Sequence, residues 1–104
     1  MQRAVEIFLP VIAVGELYFG AAKSGRQAAN RALLEAFIQG RTVLPCDLEV
    51  AQEYGMLMGV LRKHGTPLPD NDVWIAAIAI RHRLAILTRD KHFKQIADLA
   101  AFTW

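Results

Sequence analysis

Three acidic residues in this 104-residue sequence have the type and placement needed to bind a metal ion, namely Glu16, Asp72 and Asp90. Glu16 is the only charged residue between Ile12 and Ala22, and burying an unpaired carboxylate in such a stretch is costly. It therefore needs a cation, which is either an arginine or a metal ion. Asp72 and Asp90 each have an ordinary structural alternative, as a helix cap and as a cap or turn residue. Carboxylates that cluster repel one another, and a hard divalent cation is the usual remedy.

The elements that must position these acids are short strands alternating with helices. Apolar, β-branched segments predict strands over residues 5–9, 42–44, 85–87 and, at the end, 102–104. Helical spacing predicts helices over residues 12–22, 26–38, 48–62 and 73–80, and a short helix ending at Leu99. This alternation indicates an α/β domain with a parallel sheet, whose ligands bind beyond the carboxyl ends of the strands. We therefore expect the three acids to lie at one edge of that sheet.

Capping residues and apolar stripes predict where the helices end and which faces they bury. We expect Asp47 to cap the third helix, Asp70 or Asn71 to cap the fourth, and Gly40 to end the second. The unbroken apolar run over residues 73–80 predicts burial on all sides. The predicted core-facing stripes are Ala29, Leu33, Ala36 and Phe37 on the second helix, and Leu48, Ala51, Tyr54, Met58 and Leu61 on the third.

The amino-acid composition excludes several classes of protein. An apolar fraction of 54% with a net charge of +2 excludes a disordered chain. The single cysteine, Cys46, excludes a disulfide framework, and we expect it to be a buried thiol in a reducing compartment. The longest early uncharged run, residues 7–15, is far short of the roughly 20 residues that span a bilayer. We therefore expect one cytoplasmic domain without a membrane segment, and the apolar excess predicts a partner surface near Tyr18 and Phe19.

Basic clusters that could contact nucleic acid occur over residues 62–64, 81–83 and 89–94. The ordinary alternative is that they are solvated helix ends, where cations complement the helix dipole. Arg89 and Lys91 flank the expected metal edge and are the better candidates for substrate binding. The three histidines lack the spacing of a zinc-binding helix, so we interpret them as surface or structural residues.

Residues 9–12 with 15–21, 69–77 and 87–93, taken in order, resemble the conserved segments of PIN domains, specifically the VapC-like toxins of bacterial toxin–antitoxin pairs. Residues 97–104 look like the usual C-terminus of that family, so the resemblance covers nearly the whole chain. It implies a three-layer α/β/α fold with a short parallel sheet. It also implies a ribonuclease that depends on Mg²⁺ or Mn²⁺, with RNA as substrate and a cognate antitoxin as partner.

The same resemblance assigns residues to the site. Glu16, Asp72 and Asp90 correspond to catalytic, metal-binding acids of the family; Thr88 would line the site and Asn71 would lie beside it. The metal would orient the scissile phosphate and lower the pKa of a bound water. Because Mg²⁺ often uses only one or two carboxylates together with phosphate and water, three acids could still bind one ion.

The sequence departs from the family pattern at its start. The family opens with a strand ending in an aspartate, usually within Asp-Thr-Asn, and then a helix, whereas Met1 stands just before the segment resembling the second strand. We therefore expect residues 1–104 to form a single, N-terminally truncated PIN-like domain with low or absent nuclease activity. The missing strand lies in the middle of the family's sheet. Without it, the two neighbouring strands would have backbone N–H and C=O groups that lack hydrogen-bond partners. We expect the core to rearrange or to be completed by another chain, as in a segment-swapped homodimer.

Two other functions fit the residues. One is a catalytically dead, truncated module that acts by dimerisation or antitoxin binding. The other is a helical interaction domain whose acids are caps and salt bridges, and it predicts that Glu16, Asp72 and Asp90 lie far apart.

Overall fold

The computed structural model describes residues 7–87, 93, 96, 99, 101 and 102. The chain divides into two compact units, Met1–Pro45 and Cys46–Trp104. In chain order the elements are β1 (Phe8–Pro10), α1 (Val11–Ala22), α2 (Gln27–Ile38), β2 (Thr42–Leu44), α3 (Leu48–Lys63), α4 (Asp70–Arg81), β3 (Ile86–Leu87) and β4 (Ala101–Phe102). Across these described residues, no helix is long and apolar enough to cross a membrane.

A parallel pair of strands organises the first unit. β1 pairs with β2 so that Phe8 lies opposite Thr42 and Pro10 lies opposite Leu44. Parallel strands need a crossover connection, and α1 and α2 provide it, with α1 packed against both α2 and β1. Pro10 ends β1 and is also the N-cap residue of α1, so the strand passes directly into the helix. Val14 and Leu44 are the buried hydrophobic residues of this unit within the described part of the chain.

Side-chain hydrogen bonds close the turn between α1 and α2. The Ser24 hydroxyl donates to the carbonyl of Ala21 at 2.7 Å and accepts from the Asn30 amide at 2.9 Å. The Gln27 amide donates to the carbonyl of Ala22 at 2.6 Å. Because the last carbonyls of a helix have no partner within the helix, these bonds stabilise the point at which α1 ends.

Two packed helices, α3 and α4, form the core of the second unit. Asp47 caps α3 as predicted, since its carboxylate accepts a hydrogen bond from the backbone N–H of Val50 at 2.9 Å. The apolar run of α4 is largely buried, as predicted. The core cluster contains Leu61, Val73, Ala76, Ala79, Phe93, Ile96 and Leu99. β3 and β4 pair in parallel with Ile86 opposite Ala101, so the predicted α/β class with parallel strands is confirmed.

The start of α4 differs from the prediction. The helix begins at Asp70 with Pro69 at the N-cap, so neither Asp70 nor Asn71 caps it. Proline lacks the backbone N–H, which would in any case find no helical partner at this end, so it suits the position. Asp70 and Asp72 instead lie in the first turn, where the helix dipole favours negative charge.

The predicted core face of α2 is wrong, and that of α3 is right for three of its five residues. No residue of α2 is buried, and Leu33 is 70% exposed. On α3, Leu48 is also 70% exposed, whereas Val50 is completely buried. The part of the α3 stripe that is confirmed is Tyr54, Met58 and Leu61, which belong to or pack against the core. Apolar residues occur on several sides of both helices, so their spacing does not single out the face that tertiary packing buries.

Cys46 and Phe37 are also more exposed than predicted. Cys46 lies in the short connection between β2 and α3, and its side chain is exposed rather than buried. Phe37 is exposed instead of lying in the core. Phe19 is exposed too, as a partner surface near it requires. Tyr54 and Trp74 are half-buried, and their rings stack with centroids 3.9 Å apart.

Candidate functional site

Glu16 lies on α1, six residues after the end of β1, in the first unit. Its side chain is exposed, and among the residues that the structure describes it forms no ion pair or hydrogen bond. The expectation that Glu16 sits in a buried helix is wrong, because Val14 is the only buried residue of α1. An exposed carboxylate loses little hydration, so the position of Glu16 does not require an arginine partner. Its oxygens are of the hard type that Mg²⁺ and Mn²⁺ bind.

Asp72 lies in the second unit, as the third residue of α4. Its side chain is half-buried, between the exposed Asn71 and the fully buried Val73. Asp72 is not the N-cap residue of α4, because Pro69 occupies that position. Proline also has no backbone N–H that could donate to the carboxylate of the third helical residue, as happens in a capping box. The first turn of the helix still favours a negative charge at this position. Asp72 is therefore a charged group fixed on a rigid, well-packed helix.

The remaining predicted site residues fall in the segment after β3. Thr88, Arg89, Asp90 and Lys91 lie outside the residues that the structure describes, directly after Leu87 in the sequence. Within residues 7–87, 93, 96, 99, 101 and 102, no group of three or more His, Cys, Asp or Glu side chains could hold a metal ion. The convergence of Glu16, Asp72 and Asp90 therefore stays a prediction.

The basic clusters at the ends of α3 and α4 are placed as the dipole argument expects. Arg62 and Lys63 lie in the last turn of α3, and Arg81 lies in the last turn of α4. All three side chains are exposed. Both interpretations, a solvated helix end and a contact for RNA phosphates, are consistent with this exposure.

Cations packed over aromatic rings in the first unit are a feature that the sequence analysis missed. The pairs are Lys23 over Phe19 at 5.1 Å, Arg31 over Tyr18 at 5.9 Å and Arg41 over Phe37 at 4.3 Å from the ring centroid. Two of these pairs are separated by four residues, a spacing that brings helical side chains together and that could have revealed them. The Arg31–Tyr18 pair joins α2 to α1 and has no such local signal.

The chain matches known families and structures over most of its length. The model of the PIN domain family matches residues 1–99. Ribonuclease VapC4 of Mycobacterium tuberculosis is 36% identical over 95 residues, which are 89% of this chain and 73% of that protein. The tRNA(fMet)-specific endonuclease VapC of Salmonella typhimurium is 32% identical over 94 residues, 89% of this chain and 71% of its own length.

Solved structures of VapBC proteins are similar in fold to this chain. The structure of VapBC2 from Rickettsia felis, bound to a DNA fragment from its promoter, matches with a TM-score of 0.90 and 27% identity, covering 95% of this chain and 75% of that one. DNA-bound VapBC from Salmonella typhimurium matches with a TM-score of 0.89 and 31% identity, covering 93% and 74% respectively.

Proposed function

Since this chain belongs to the PIN domain family and is VapC-like, we propose that it is a metal-dependent endoribonuclease and the toxin of a type II toxin–antitoxin pair. The observation that carries the proposal is the match to proteins named as VapC ribonucleases over nine-tenths of the chain, at 36% identity for the Mycobacterium tuberculosis protein. The reaction is hydrolysis of RNA phosphodiester bonds. Residues 1–104 are proposed to act as one PIN-like domain in the cytoplasm.

The proposed metal ligands are Glu16, Asp72 and Asp90. The donor chemistry fits, because carboxylate oxygens are preferred by Mg²⁺ and Mn²⁺ and the Glu16 carboxylate is exposed and has no cationic partner among the described residues. When bound, such an ion supplies charge neutralisation at the phosphate and a more acidic water. Glu16 and Asp72 contribute by holding negative charge on rigid helices. No carboxylate is required to act as a covalent nucleophile.

The proposed substrate contacts are polar and cationic. Asn71 is exposed in the first turn of α4, next to Asp72, and its amide can donate to a phosphate or sugar oxygen. Arg89 and Lys91 supply positive charge for the RNA backbone, and Thr88 supplies a hydroxyl. In this proposal these four residues orient the RNA strand, whereas the three acids hold the metal ion at which the phosphodiester bond is hydrolysed.

RNA cleavage by the full chain tests this function directly. In keeping with the missing first acidic motif, we expect weak Mg²⁺- or Mn²⁺-dependent cleavage of RNA that is abolished by Asp72→Asn and unchanged in a matched control, Glu35→Gln. Glu35 is an exposed helical glutamate whose described partner is Arg31 at 3.1 Å, so its loss has little effect on stability. Cleavage that survives Asp72→Asn at full rate would show that the assigned acids do not carry the reaction.

A partner-binding module without catalysis is the second candidate function. The observation that favours it is the number of large apolar side chains left exposed on α1 and α2, which include Leu17, Phe19, Leu33 and Phe37. The partners in this case are a cognate antitoxin or a second copy of the chain. Absence of metal-dependent cleavage, combined with tight binding of a cognate antitoxin, would select this function over the first.

A further inference from the structure

Tyr54 and Trp74 form a stacked aromatic pair that joins α3 to α4. Their ring centroids are 3.9 Å apart and the ring planes are inclined by 13°, so the rings lie nearly face to face. Aromatic pairs in proteins usually adopt offset or edge-to-face arrangements with centroids about 4.5–7 Å apart. This pair instead holds two flat rings almost parallel, which is an arrangement that a further planar ring can extend by stacking.

The two rings of the pair are held differently. Tyr54 packs against the core cluster of the second unit, whereas Trp74 is not among the described residues that do so. Trp74 is half-buried although one face of its indole already covers Tyr54, so part of its side chain remains open to solvent. Tyr54 therefore fixes the orientation of the indole, and Trp74 offers accessible aromatic surface.

The pair also carries polar groups that could bind a ligand. Among the described residues, neither the indole N–H of Trp74 nor the hydroxyl of Tyr54 forms a hydrogen bond. When tyrosine and tryptophan are buried, these groups usually have a partner within the protein. Asn71 is exposed one turn before Trp74 on the same face of α4, and its amide can both donate and accept. A flat ligand with polar edges, such as a nucleobase, matches this combination.

The position of Trp74 on α4 indicates where such a ligand lies. Helical side chains lean toward the N-terminus of their helix, so the indole extends toward the first turn, which carries Asn71 and Asp72. With 3.6 residues per turn, Trp74 and Asp72 point in directions about 200° apart around the helix axis. A base stacked on Trp74 is therefore beside the proposed metal site and not at it.

Positive charge lies at the same end of the two helices. α3 ends at Lys63 and α4 begins at Asp70, so only residues 64–69 separate the last turn of α3 from the first turn of α4. Arg62 and Lys63 are both exposed in that last turn. A nucleic-acid strand with a base against Trp74 can therefore place its phosphates near these cations.

From these features we propose that Trp74, oriented by Tyr54, stacks on an unpaired base of the RNA strand. The base belongs to a nucleotide that flanks the one at the metal site. Proteins commonly recognise single-stranded RNA by stacking splayed bases on aromatic side chains. In this role Trp74 binds the strand and takes no part in the hydrolysis. The choice of RNA as ligand rests on the proposed function, whereas the stacking itself requires no cleavage.

Indole fluorescence tests the stacking without any change at Trp74. The chain has two tryptophans, so Trp104→Phe leaves Trp74 as the only indole. We expect a short single-stranded RNA, added in EDTA so that it is not cleaved, to quench this fluorescence in a saturable way. A strand of the same length without bases should quench far less. Equal quenching by the two strands, or none by either, would overturn the proposal.

Abasic substitution in the RNA tests which base is stacked. In anisotropy titrations with labelled RNA in EDTA, we expect Trp74→Leu to raise the dissociation constant about 5- to 100-fold and Trp74→Phe to raise it much less. One abasic position should weaken binding to the wild type by a similar factor. That abasic strand should bind Trp74→Leu little worse than the intact strand does, because both changes remove the same contact.

Phe37→Leu is the matched control for the abasic titration. It removes an aromatic ring from α2, so it should keep the full effect of the abasic position. Circular dichroism shows whether each variant keeps its helices. Losses that add fully in Trp74→Leu would refute the stacking. Quenching and the abasic effect without any metal-dependent cleavage would support the stacking and contradict the proposed activity, whereas cleavage without quenching would do the reverse.

Discussion

The exposure of Glu16 changes how its place within an apolar stretch is interpreted. In the sequence, a single acid within an apolar stretch indicates a buried charge that must be neutralised. In the structure, the Glu16 side chain is exposed, so its presence costs little and by itself requires no cation. The assignment of Glu16 to a metal site therefore depends on its resemblance to the PIN family acids. The exposure has a separate consequence, because the carboxylate is accessible to an ion from solvent.

Cys46 supports a prediction about chemical reactivity at the residue scale. Although the Cys46 side chain is exposed, the limited desolvation of its thiol, and to a smaller extent the negative charge of Asp47, raise the pKa of that thiol above its ordinary value. Because the thiolate is the reactive form, alkylation of the folded protein should require a higher pH than alkylation of the denatured chain. Asp47→Asn should lower the pH needed, since it removes the charge while asparagine still caps α3. Iodoacetamide labelling followed by mass spectrometry measures this at the only cysteine of the chain. Identical pH profiles for the folded and denatured forms would contradict it.

At the scale of the elements, α4 is the most completely buried helix of those described, and α2 has no buried residue. Ile78→Ala should therefore lower the free energy of unfolding by about 2–5 kcal/mol, because Ile78 is fully buried and its removal leaves a cavity. Leu33→Ala should change it by less than about 0.5 kcal/mol, since the side chain is mostly exposed. Urea unfolding of both variants measures the difference. Equal destabilisation by the two substitutions would show that α2 is covered in solution.

Element positions were predictable because they depend on local signals. Pro10, Asp47 and Gly40 mark boundaries through φ restriction, capping and a positive φ of 80° at Gly40, and the corresponding helices end within about one residue of the prediction. The buried faces of α2 and α3 were not predictable in the same way. Leu33 is 70% exposed and Val50 is completely buried, and helical spacing alone does not distinguish them.

The candidate site was predictable from the sequence only in part, because local signals do not report contacts between residues that are distant in the sequence. Asp72 could be placed at the start of a helix from Pro69 and the acidic first turn, and the structure confirms that location. The cap assigned to Asp70 or Asn71 was wrong because proline took the N-cap position. β3 pairs in parallel with β4 although the paired residues are 15 apart in the sequence, and local spacing does not specify such a pairing.

At the scale of the whole molecule, the three acids can act together only if the complete fold brings them to one ion. A ligand that binds only the folded chain raises its stability by mass action, by about 2.7 kcal/mol when its concentration is 100 times the dissociation constant. We therefore expect Mn²⁺ or Mg²⁺ to raise the melting temperature in a concentration-dependent way that EDTA reverses. If Glu16 and Asp72 bind one shared ion, Glu16→Gln and Asp72→Asn should each remove most of this rise.

The comparison of single and double variants makes this test specific for one shared site. If both carboxylates hold the same ion, the double variant Glu16→Gln with Asp72→Asn should lose no more of the metal-induced rise than either single variant, since the losses at a shared site are not additive. Glu35→Gln, an exposed glutamate on α2, should retain the full rise. Differential scanning fluorimetry with and without the ion provides the measurement. A full rise in either single variant would mean that the two acids do not share an ion, and the proposed site would have to be rebuilt around the other one.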